Sequence, residues 1–354
     1  MTKNTGTKPC YGNTVNVKYS KSAEFYIKTK QNYFENNNDL FNKAMRKNEI
    51  YSHQPIRVKC KICSSMLHDK FDFRQHGIEY FFCSECGHLN GRYEDSKTFV
   101  EKIYMEDGGI DYSEEYVSGN YNQRMIDIYM PKVNFLLDNL PVRKYKLLDI
   151  GCGGGHFVYA SMQRGVDAYG IDIGKTVIDF GNAQILRLTN KKPLSNSDEN
   201  GFYDEIRRTD ADIVSAIGVI EHLREPNKLF EAFRNGNAGY LYYSVPMFSL
   251  SVIVENVFSG VFPRQLSADH THLFTEKSLR KMNLLAGVRP VAEWRFGTDI
   301  MDLYRSIMIT IRENGGSKTL MEYFGNGFGN KIDDLQSELD KNHFCSEIHC
   351  LTKR

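Results

Sequence analysis

The stretch LLDIGCGGGHF, residues 147–157, constrains the fold more than any other part of the chain. It begins as an apolar strand and passes through four glycines, at positions 151, 153, 154 and 155, into a predicted helix. Glycines let the backbone approach a ligand closely, and the start of the following helix offers N–H groups to an anion. The stretch therefore predicts a strand–loop–helix unit that binds a nucleotide-type cofactor, rather than a tight turn alone.

The spacing of this loop decides between kinds of nucleotide site. A dinucleotide-binding loop needs glycine at the sixth position, but His156 stands there when the count begins at Gly151. A P-loop needs Gly-Lys-Ser/Thr, which does not follow. Instead Asp149 precedes the loop, and the next predicted strand, VDAYGIDI, ends in Asp172. Two carboxylates beside a glycine loop suit a cofactor with a cationic end and a ribose diol.

These motifs resemble those of the class I S-adenosylmethionine-dependent methyltransferases. LLDIGCGGG is similar to that family's first-strand motif, YGIDI to its second-strand motif, and DIVSAIGVIEHL to its fourth-strand motif. The resemblance implies an α/β fold, with a Rossmann-like, mostly parallel sheet that contains one antiparallel strand. It also implies that Asp149 and the glycines hold the methionine end, and Asp172 the ribose. The cofactor-binding residues that it implies are Asp149, Gly151, Gly153, Gly155, Asp172 and Gly218.

A second motif precedes this region and consists of two CxxC pairs, in VKCKICSS and FFCSECGHLNG. The four cysteines are Cys60, Cys63, Cys83 and Cys86. Each pair puts two thiolates on one turn, and two facing turns complete a tetrahedral site. Four thiolates leave no open position, so the motif predicts structural zinc in a small ribbon, with iron as the alternative. Three nearby histidines are expected not to be ligands: His68, His76 and His88.

Histidines provide the candidate base for methyl transfer, since imidazole titrates near neutral pH. SADHTHLFT places His270 and His272 in a loop before a helix that Thr275 is expected to cap, and Asp269 would orient one imidazole. The chain also resembles methyltransferases that act on nucleotide-linked sugars, and that resemblance implies a histidine in a comparable loop. His222, directly after the fourth predicted strand, is a further candidate. The alternative is a capping loop whose histidines only form hydrogen bonds.

The chain divides into four predicted parts. They are a polar helical extension (1–55), the zinc ribbon (56–95), the methyltransferase domain (96–312) and a C-terminal helix and strand (313–354). Within them the sequence predicts a helix over Ser22–Lys47, late strands in VAEWRFG and RSIMITI, and an edge strand in FCSEIHC. The apolar segment 247–262 predicts a helix that covers the acceptor site, with a dimer contact as the alternative.

Composition and domain pairing limit the function. Lysine and arginine total 45 against 44 acidic residues, so no global field favours nucleic acid. No leader or membrane span is evident, and we expect a cytoplasmic protein. A zinc ribbon joined to this domain resembles methyltransferases that act on nucleotide-linked sugars. The predicted function is therefore methylation of a sugar or similar small metabolite. The alternatives are an RNA or protein methyltransferase, with the ribbon for docking, and a non-catalytic cofactor-binding scaffold; a homodimer is left open.

Overall fold

The computed structural model describes residues 15–23, 32–104, 120–267 and 270–354. In chain order its strands are β1 (Asn16–Tyr19), β2 (Phe73–Gln75), β3 (Ile78–Phe82), β4 (Leu89–Gly91), β5 (Lys146–Ile150), β6 (Asp167–Asp172), β7 (Leu194–Asn196), β8 (Ile213–Ile217), β9 (Tyr240–Pro246), β10 (His272–Leu273), β11 (Arg289–Phe296) and β12 (Glu347–Lys353). Its helices are α1 (Asn32–Glu35), α2 (Asn37–Ser52), α3 (Lys97–Tyr104), α4 (Tyr121–Arg124), α5 (Met130–Asp138), α6 (His156–Gln163), α7 (Lys175–Thr189), α8 (Glu199–Arg208), α9 (Pro226–Asn235), α10 (Leu250–Val257), α11 (Glu276–Ala286), α12 (Asp299–Glu313), α13 (Lys318–Phe328) and α14 (Ile332–Lys341). A π-helical turn, Met125–Tyr129, joins α4 to α5, and single 3₁₀ turns lie at Ile220–His222 and Gly329–Lys331.

The main sheet has the order β1-β11-β12-β9-β8-β5-β6-β7 among the described strands. Strands β5 to β9 pair in parallel, and β12 runs antiparallel to both of its neighbours, β9 and β11. Helical connections between the parallel strands follow from the alternating apolar runs and amphipathic segments of the sequence. The predicted fold class, a mostly parallel α/β sheet with one antiparallel strand, is confirmed.

Hydrophobic clusters cover both faces of this sheet. Leu147 and Leu148 are adjacent in β5, and their side chains point to opposite faces with no exposed surface. Leu147 belongs to the same cluster as Phe157 of α6, whereas Leu148 belongs to the cluster that contains Phe230 of α9. Because helices cover both faces, ligands can reach this sheet mainly at the carboxyl ends of its strands, where the loops lie.

Two predictions for the C-terminal part of the chain are wrong. RSIMITI lies within α12 and forms no strand; burial recurs there at Asp302, Arg305 and Ile309, three or four residues apart as on one helix face. Two of those buried residues are charged, which hides the helical pattern. The strand predicted at the edge from FCSEIHC is β12, which has a partner on each side.

The N-terminal helix differs from its prediction in position. Helices α1 and α2 are separated at Asn36, and α2 continues to Ser52, beyond the predicted end at Lys47. Residues 24–31 of the predicted helix lie outside the described part of the chain. Strand β1 adds to the edge of the main sheet, in parallel with β11. The predicted four-part division of the chain stays a prediction. None of the described helices is long and apolar enough to cross a membrane.

The cysteine-bearing ribbon is joined to the main domain by strand pairing. Its antiparallel sheet has the order β10-β4-β3-β2, and β10 comes from the histidine loop more than 180 residues further along the chain. His272 pairs with Asn90, and Leu273 pairs with Leu89. Ribbon and histidine loop therefore form one structural unit, in which the ribbon fixes the position of the loop.

Replacing Gly91 of β4 tests this junction. A Cβ atom there would lie 2.6 Å from the Tyr51 hydroxyl and 2.7 Å from the Thr271 carbonyl oxygen. We expect Gly91→Ala to lower the free energy of unfolding by ~1–3 kcal/mol, as overpacking does. The control is Gly327→Ala in α13, where a Cβ meets nothing within 4 Å and the helix gains up to ~1 kcal/mol. If the two variants unfolded at the same urea concentration, the close packing of β4 against Tyr51 and Thr271 would be contradicted.

Candidate functional site

The glycine loop follows β5 and adopts a backbone that only glycine adopts readily. Gly151, Gly153 and Gly155 have φ angles of 64°, 51° and 72°, in the left-handed region. A Cβ atom on Gly151 would also lie 2.5 Å from a methyl carbon of Val219, which follows β8. The loop thus turns sharply from β5 into α6 and lies in contact with the end of β8, as its glycine pattern predicts.

Asp172, at the end of β6, holds this loop in place. Its Oδ2 accepts a hydrogen bond from the Gly153 N–H at 2.8 Å, and its Oδ1 accepts one from the Gly174 N–H at 2.8 Å. Burial raises the pKa of this carboxyl above its ordinary value, although these backbone N–H groups act in the opposite direction. Each oxygen has a second lone pair, so the carboxylate keeps capacity for hydroxyl donors.

Asp149 is buried within the sheet, with 3% of its surface exposed. The Ser215 hydroxyl of neighbouring β8 donates to its Oδ1 at 2.7 Å. Burial is the main reason that the pKa of this carboxyl is raised to about 7, and the nearby charge of Asp172 adds to the rise. A cation near Asp149 would favour its ionised form, so this carboxyl suits a cofactor with a positively charged end.

Aromatic side chains from α4 and the π-helical turn cover the glycine loop. The ring of His156 stacks on Tyr121, with centroids 4.1 Å apart, and on Tyr129, with centroids 5.2 Å apart. The Tyr121 hydroxyl donates to the Gly154 carbonyl at 2.9 Å. Because π-helical turns re-aim side chains, this turn is a means of bringing Tyr129 over the loop.

A cavity of about 270 Å³ adjoins Gly218 at the carboxyl end of β8. Its charged and imidazole side chains are Lys132, Glu221, His222, Arg264, His270 and Glu347. Further polar lining comes from Tyr129, Ser244, Gln265 and Ser346, and apolar lining from Ile217, Val245 and Pro246. The cavity therefore suits a small polar molecule better than a long apolar one.

Two predicted histidines and one carboxylate meet in this cavity. Glu221, His222 and His270 each offer a ligand atom, and these atoms all lie within 4.8 Å of one another. The rings of His222 and His270 have centroids 5.1 Å apart. Burial raises the pKa of Glu221 to about 8. The only sequence signal for Glu221 was its place in the fourth-strand motif DIVSAIGVIEHL. Nothing in the sequence indicated that it lies close to His270.

The third predicted histidine, His272, lies outside the cavity lining. It is buried in β10, and its Nδ1 is 2.8 Å from Nε2 of the ribbon's His88. Burial is the main cause of a pKa well below the ordinary value for both histidines, so both are neutral. Thr275 caps α11 as predicted, in a reciprocal pair with Ser278. Asp269, the proposed orienting residue, lies outside the described residues.

The segment that the sequence predicts as a lid has another position. Helix α10 forms within it, but the cavity lining comes from the turn after the helix, through Arg264 and Gln265. The buried carboxylate of Glu255 in α10 accepts hydrogen bonds from the N–H groups of Arg264, Gln265 and Leu266. Arg264 in turn contacts the buried carboxylate of Asp302 at 2.8 Å. The helix thus supports one wall of the cavity from behind.

The four ribbon cysteines converge as predicted. The Sγ atoms of Cys60 and Cys86 are 3.5 Å apart, as are those of Cys63 and Cys83, and all four lie within 4.8 Å of one another. Zinc bound tetrahedrally at 2.3 Å separates its sulfur ligands by about 3.8 Å, so the donor set fits. The cluster is compatible with an N-terminal zinc site. None of the neighbouring histidines belongs to it, as expected.

Two of the basic residues around the ribbon are buried and paired with acidic residues, whereas Lys59 and Lys70 are exposed. Arg57 and Lys61 are buried, with 6% and 7% of their surface exposed. Arg57 forms ion pairs with Glu94 at 2.9 Å and with Asp95 at 3.1 Å, and Lys61 also pairs with Asp95. Their charges are therefore compensated inside the protein and unavailable to a phosphate backbone.

Comparison with known proteins finds similarity to methyltransferases. Residues 121–293 match the model of a family described as a methyltransferase domain. A curated ubiquinone biosynthesis O-methyltransferase of Pseudomonas fluorescens (strain SBW25) is 29% identical over 117 residues, which cover 30% of this chain and 45% of that relative. Its counterpart in Aliivibrio fischeri (strain MJ11) is 28% identical over 96 residues, covering 27% and 41%. The chain thus matches less than half the length of these relatives.

A solved structure is similar to this chain at a lower level. The magnesium protoporphyrin IX methyltransferase of Synechocystis PCC 6803, crystallised with bound SAH, has a TM-score of 0.48 and 16% identity. The alignment covers 73% of this chain and 100% of that one. Residues 121–293 thus match a methyltransferase domain, and they include the parallel strands β5 to β9 of the main sheet.

Asp149→Asn tests the electrostatics of the loop. Between pH values of about 4 and 7 the folded wild type holds a proton that the unfolded chain has released, so its stability falls as pH rises. The amide can still accept from Ser215 and carries no charge. We expect the free energy of unfolding of Asp149→Asn, minus that of the wild type, to rise by a few kcal/mol between pH 4 and pH 8. Each unit by which folding raises the pKa contributes about 1.4 kcal/mol to this difference.

Urea unfolding at several pH values measures this difference. The matched control is Asp167→Asn, at an exposed position in β6. Its difference from the wild type should not follow the same pH course. A pH-independent difference for Asp149→Asn would contradict the raised pKa of the buried carboxyl.

Proposed function

We propose that the protein is an S-adenosylmethionine-dependent methyltransferase that acts on a hydroxyl group of a small polar acceptor. One observation carries the proposal: the glycine loop, Asp172 and Gly218 lie at the carboxyl ends of three adjacent parallel strands, and Gly218 lines a polar cavity. Asp149 and the loop glycines hold the methionine end of the cofactor, and Asp172 holds the ribose. The methyl group then lies near Gly218, at the boundary of loop and cavity.

The acceptor proposed from this cavity is a sugar or a similar polyhydroxylated metabolite, nucleotide-linked in the favoured case. Charged and hydrogen-bonding side chains dominate the lining, and a volume of about 270 Å³ suits one sugar ring better than a long apolar chain. The curated relatives are named as O-methyltransferases of ubiquinone biosynthesis. Their name supports oxygen as the methylated atom, whereas the polar lining favours an acceptor unlike ubiquinone.

The chemistry proposed is an in-line displacement. The acceptor oxygen forms a bond to the methyl carbon as the bond from that carbon to the sulfonium sulfur breaks. The acceptor's proton passes to an imidazole, for which His222 and His270 are in position because both line the cavity. His272 supports the loop that carries His270, and we assign it no proton transfer. S-adenosylhomocysteine and the methylated acceptor are then released.

The ribbon is proposed to hold structural zinc through its four cysteines, and to act as a brace for the histidine loop. A non-catalytic scaffold would not need two histidines and a carboxylate in a cavity beside the cofactor loop. An RNA substrate docked on the ribbon would need a set of exposed cations there. Lys59 and Lys70 are exposed, but Arg57 and Lys61 are paired with acidic neighbours, and the near-equal totals of basic and acidic residues argue against that use. A cytoplasmic location and a dimeric state stay predictions.

Methyl-labelled S-adenosylmethionine identifies the acceptor class. Purified protein and labelled cofactor are added to an extract of the source cells, which is then separated into nucleotide sugars, lipids, RNA and protein. Label in the nucleotide-sugar fraction is the expected result. Label in RNA or protein would overturn the proposed acceptor, and no transfer to any fraction would contradict the proposed activity.

Replacing His222 and His270 by alanine tests their role as base. We expect turnover to fall by roughly 10²- to 10⁴-fold in the double variant, as for loss of a general base. The affinity for S-adenosylhomocysteine should change little, because the cofactor contacts lie in the glycine loop. His53→Ala, at the end of α2, is the control. Undiminished turnover in the double variant would dispose of the histidine base.

Metal analysis tests the proposed zinc site. We expect Cys63→Ser with Cys83→Ser to lose one zinc ion per chain and to lower Tm, because structural zinc contributes directly to folding. Since the ribbon pairs with β10, proteolysis of the variant should also begin near residues 264–275. Intact zinc content in the variant would contradict the site, and the control is Cys152→Ser in the glycine loop.

A further inference from the structure

The cavity contains a set of donors that the proposed reaction does not fully use. The ligand atoms of Glu221, His222 and His270 lie within 4.8 Å of one another, so small side-chain movements would bring all three onto a single metal ion. Oε1 of Glu221 and Nε2 of His222 are 4.0 Å apart. Two imidazoles and one carboxylate form a donor set that divalent transition metals prefer.

The hydrogen bond of His270 prepares its ring for a metal. Its Nδ1 lies 3.2 Å from the carbonyl oxygen of Gln265. A carbonyl can only accept, so Nδ1 carries the proton, and in the neutral ring Nε2 keeps the lone pair. Histidine ligands of metals are usually oriented by such a second hydrogen bond to a backbone carbonyl. The turn that Glu255 supports therefore also sets the tautomer of His270.

Glu221 gives an independent indication of a cation site. Its surface is 5% exposed, and its Oε2 is a buried atom without a hydrogen-bond partner among the described residues. A buried carboxylate oxygen that lacks a donor costs free energy, and native structures compensate such atoms with a proton, a donor or a metal ion. Because Glu221 lines the cavity, a cation bound there would supply this compensation.

We propose that Glu221, His222 and His270 bind one divalent transition-metal ion of the Zn²⁺, Mn²⁺, Fe²⁺ or Co²⁺ type. Three protein ligands leave coordination positions open, as in catalytic rather than structural sites. Two neighbouring oxygens of an acceptor in the cavity would fill them. Only this last assignment rests on the proposed function, and binding of the metal does not.

Metal binding and general-base catalysis are alternative roles of the same cluster. A bound ion would use the imidazole lone pairs that a base needs. His222 and His270 would then hold the ion, the ion would lower the pKa of the acceptor hydroxyl, and the hydroxyl proton would leave to solvent. The site is separate from the four ribbon cysteines, whose sulfur donors select softer ions.

Manganese binding tests the proposal without cofactor or acceptor. Full-length protein with its ribbon loaded with zinc is titrated with Mn²⁺, and the free ion is followed by electron paramagnetic resonance. Mn²⁺ prefers oxygen and nitrogen donors to thiolates, so it reports on this cluster and not on the ribbon. We expect one Mn²⁺ per chain in the wild type. Glu221→Gln and His270→Gln should each weaken binding by at least about tenfold.

The control variant is His53→Gln, in which binding should be unchanged. Thermal unfolding and S-adenosylhomocysteine affinity establish that each variant is folded. No Mn²⁺ or Co²⁺ binding beyond the ribbon site, or binding that survives both substitutions, would overturn the metal site. Such a result would leave methyl transfer standing, with a histidine base. Metal binding without methyl transfer to any fraction would instead overturn the proposed function alone.

Discussion

The pairing of β10 with β4 is the contact on which the candidate active site depends. It joins a ribbon near residue 90 to a loop near residue 272, and this loop carries His270 into the cavity. The neighbouring contact between His88 and His272 is buried and neutral, so it adds position without adding charge. The cysteine cluster thus acts at a distance on the cavity, because whatever folds the ribbon also places the histidine loop.

Charges inside the protein explain how a near-neutral chain can hold so polar a cavity. Several buried carboxylates hold parts of the backbone and of side chains in place. Asp172 accepts a hydrogen bond from the glycine loop, and Glu255 accepts one from the Arg264 N–H. Asp302 forms an ion pair with the guanidinium of Arg264. Burial also raises the pKa of Asp149 to about 7 and that of Glu221 to about 8. A bound cation would favour the ionised form of both carboxyls, at the cofactor's charged end for Asp149 and in the cavity for Glu221.

Local patterns in the sequence were enough for the central parallel strands of the sheet, the glycine loop and the cysteine cluster. Each depends on residues close together in the chain, whose spacing carries the geometry. The failures come from long-range contacts. Helix α12 is hidden because Asp302 and Arg305 are buried on its packed face, and β12 is an inner strand although it contains His349. The meeting of Glu221 with His270 had no local signal, since the two residues are brought together only by β8 and the loop before β10.

The central claim is that the glycine loop and the polar cavity serve one reaction. A crystal structure with S-adenosylhomocysteine bound tests this claim most directly. The account predicts that the ligand lies on the glycine loop, with ribose hydroxyls at Asp172 and the sulfur atom at Gly218, open toward His222 and His270. A ligand bound elsewhere, or a sulfur atom separated from the cavity by protein, would contradict it.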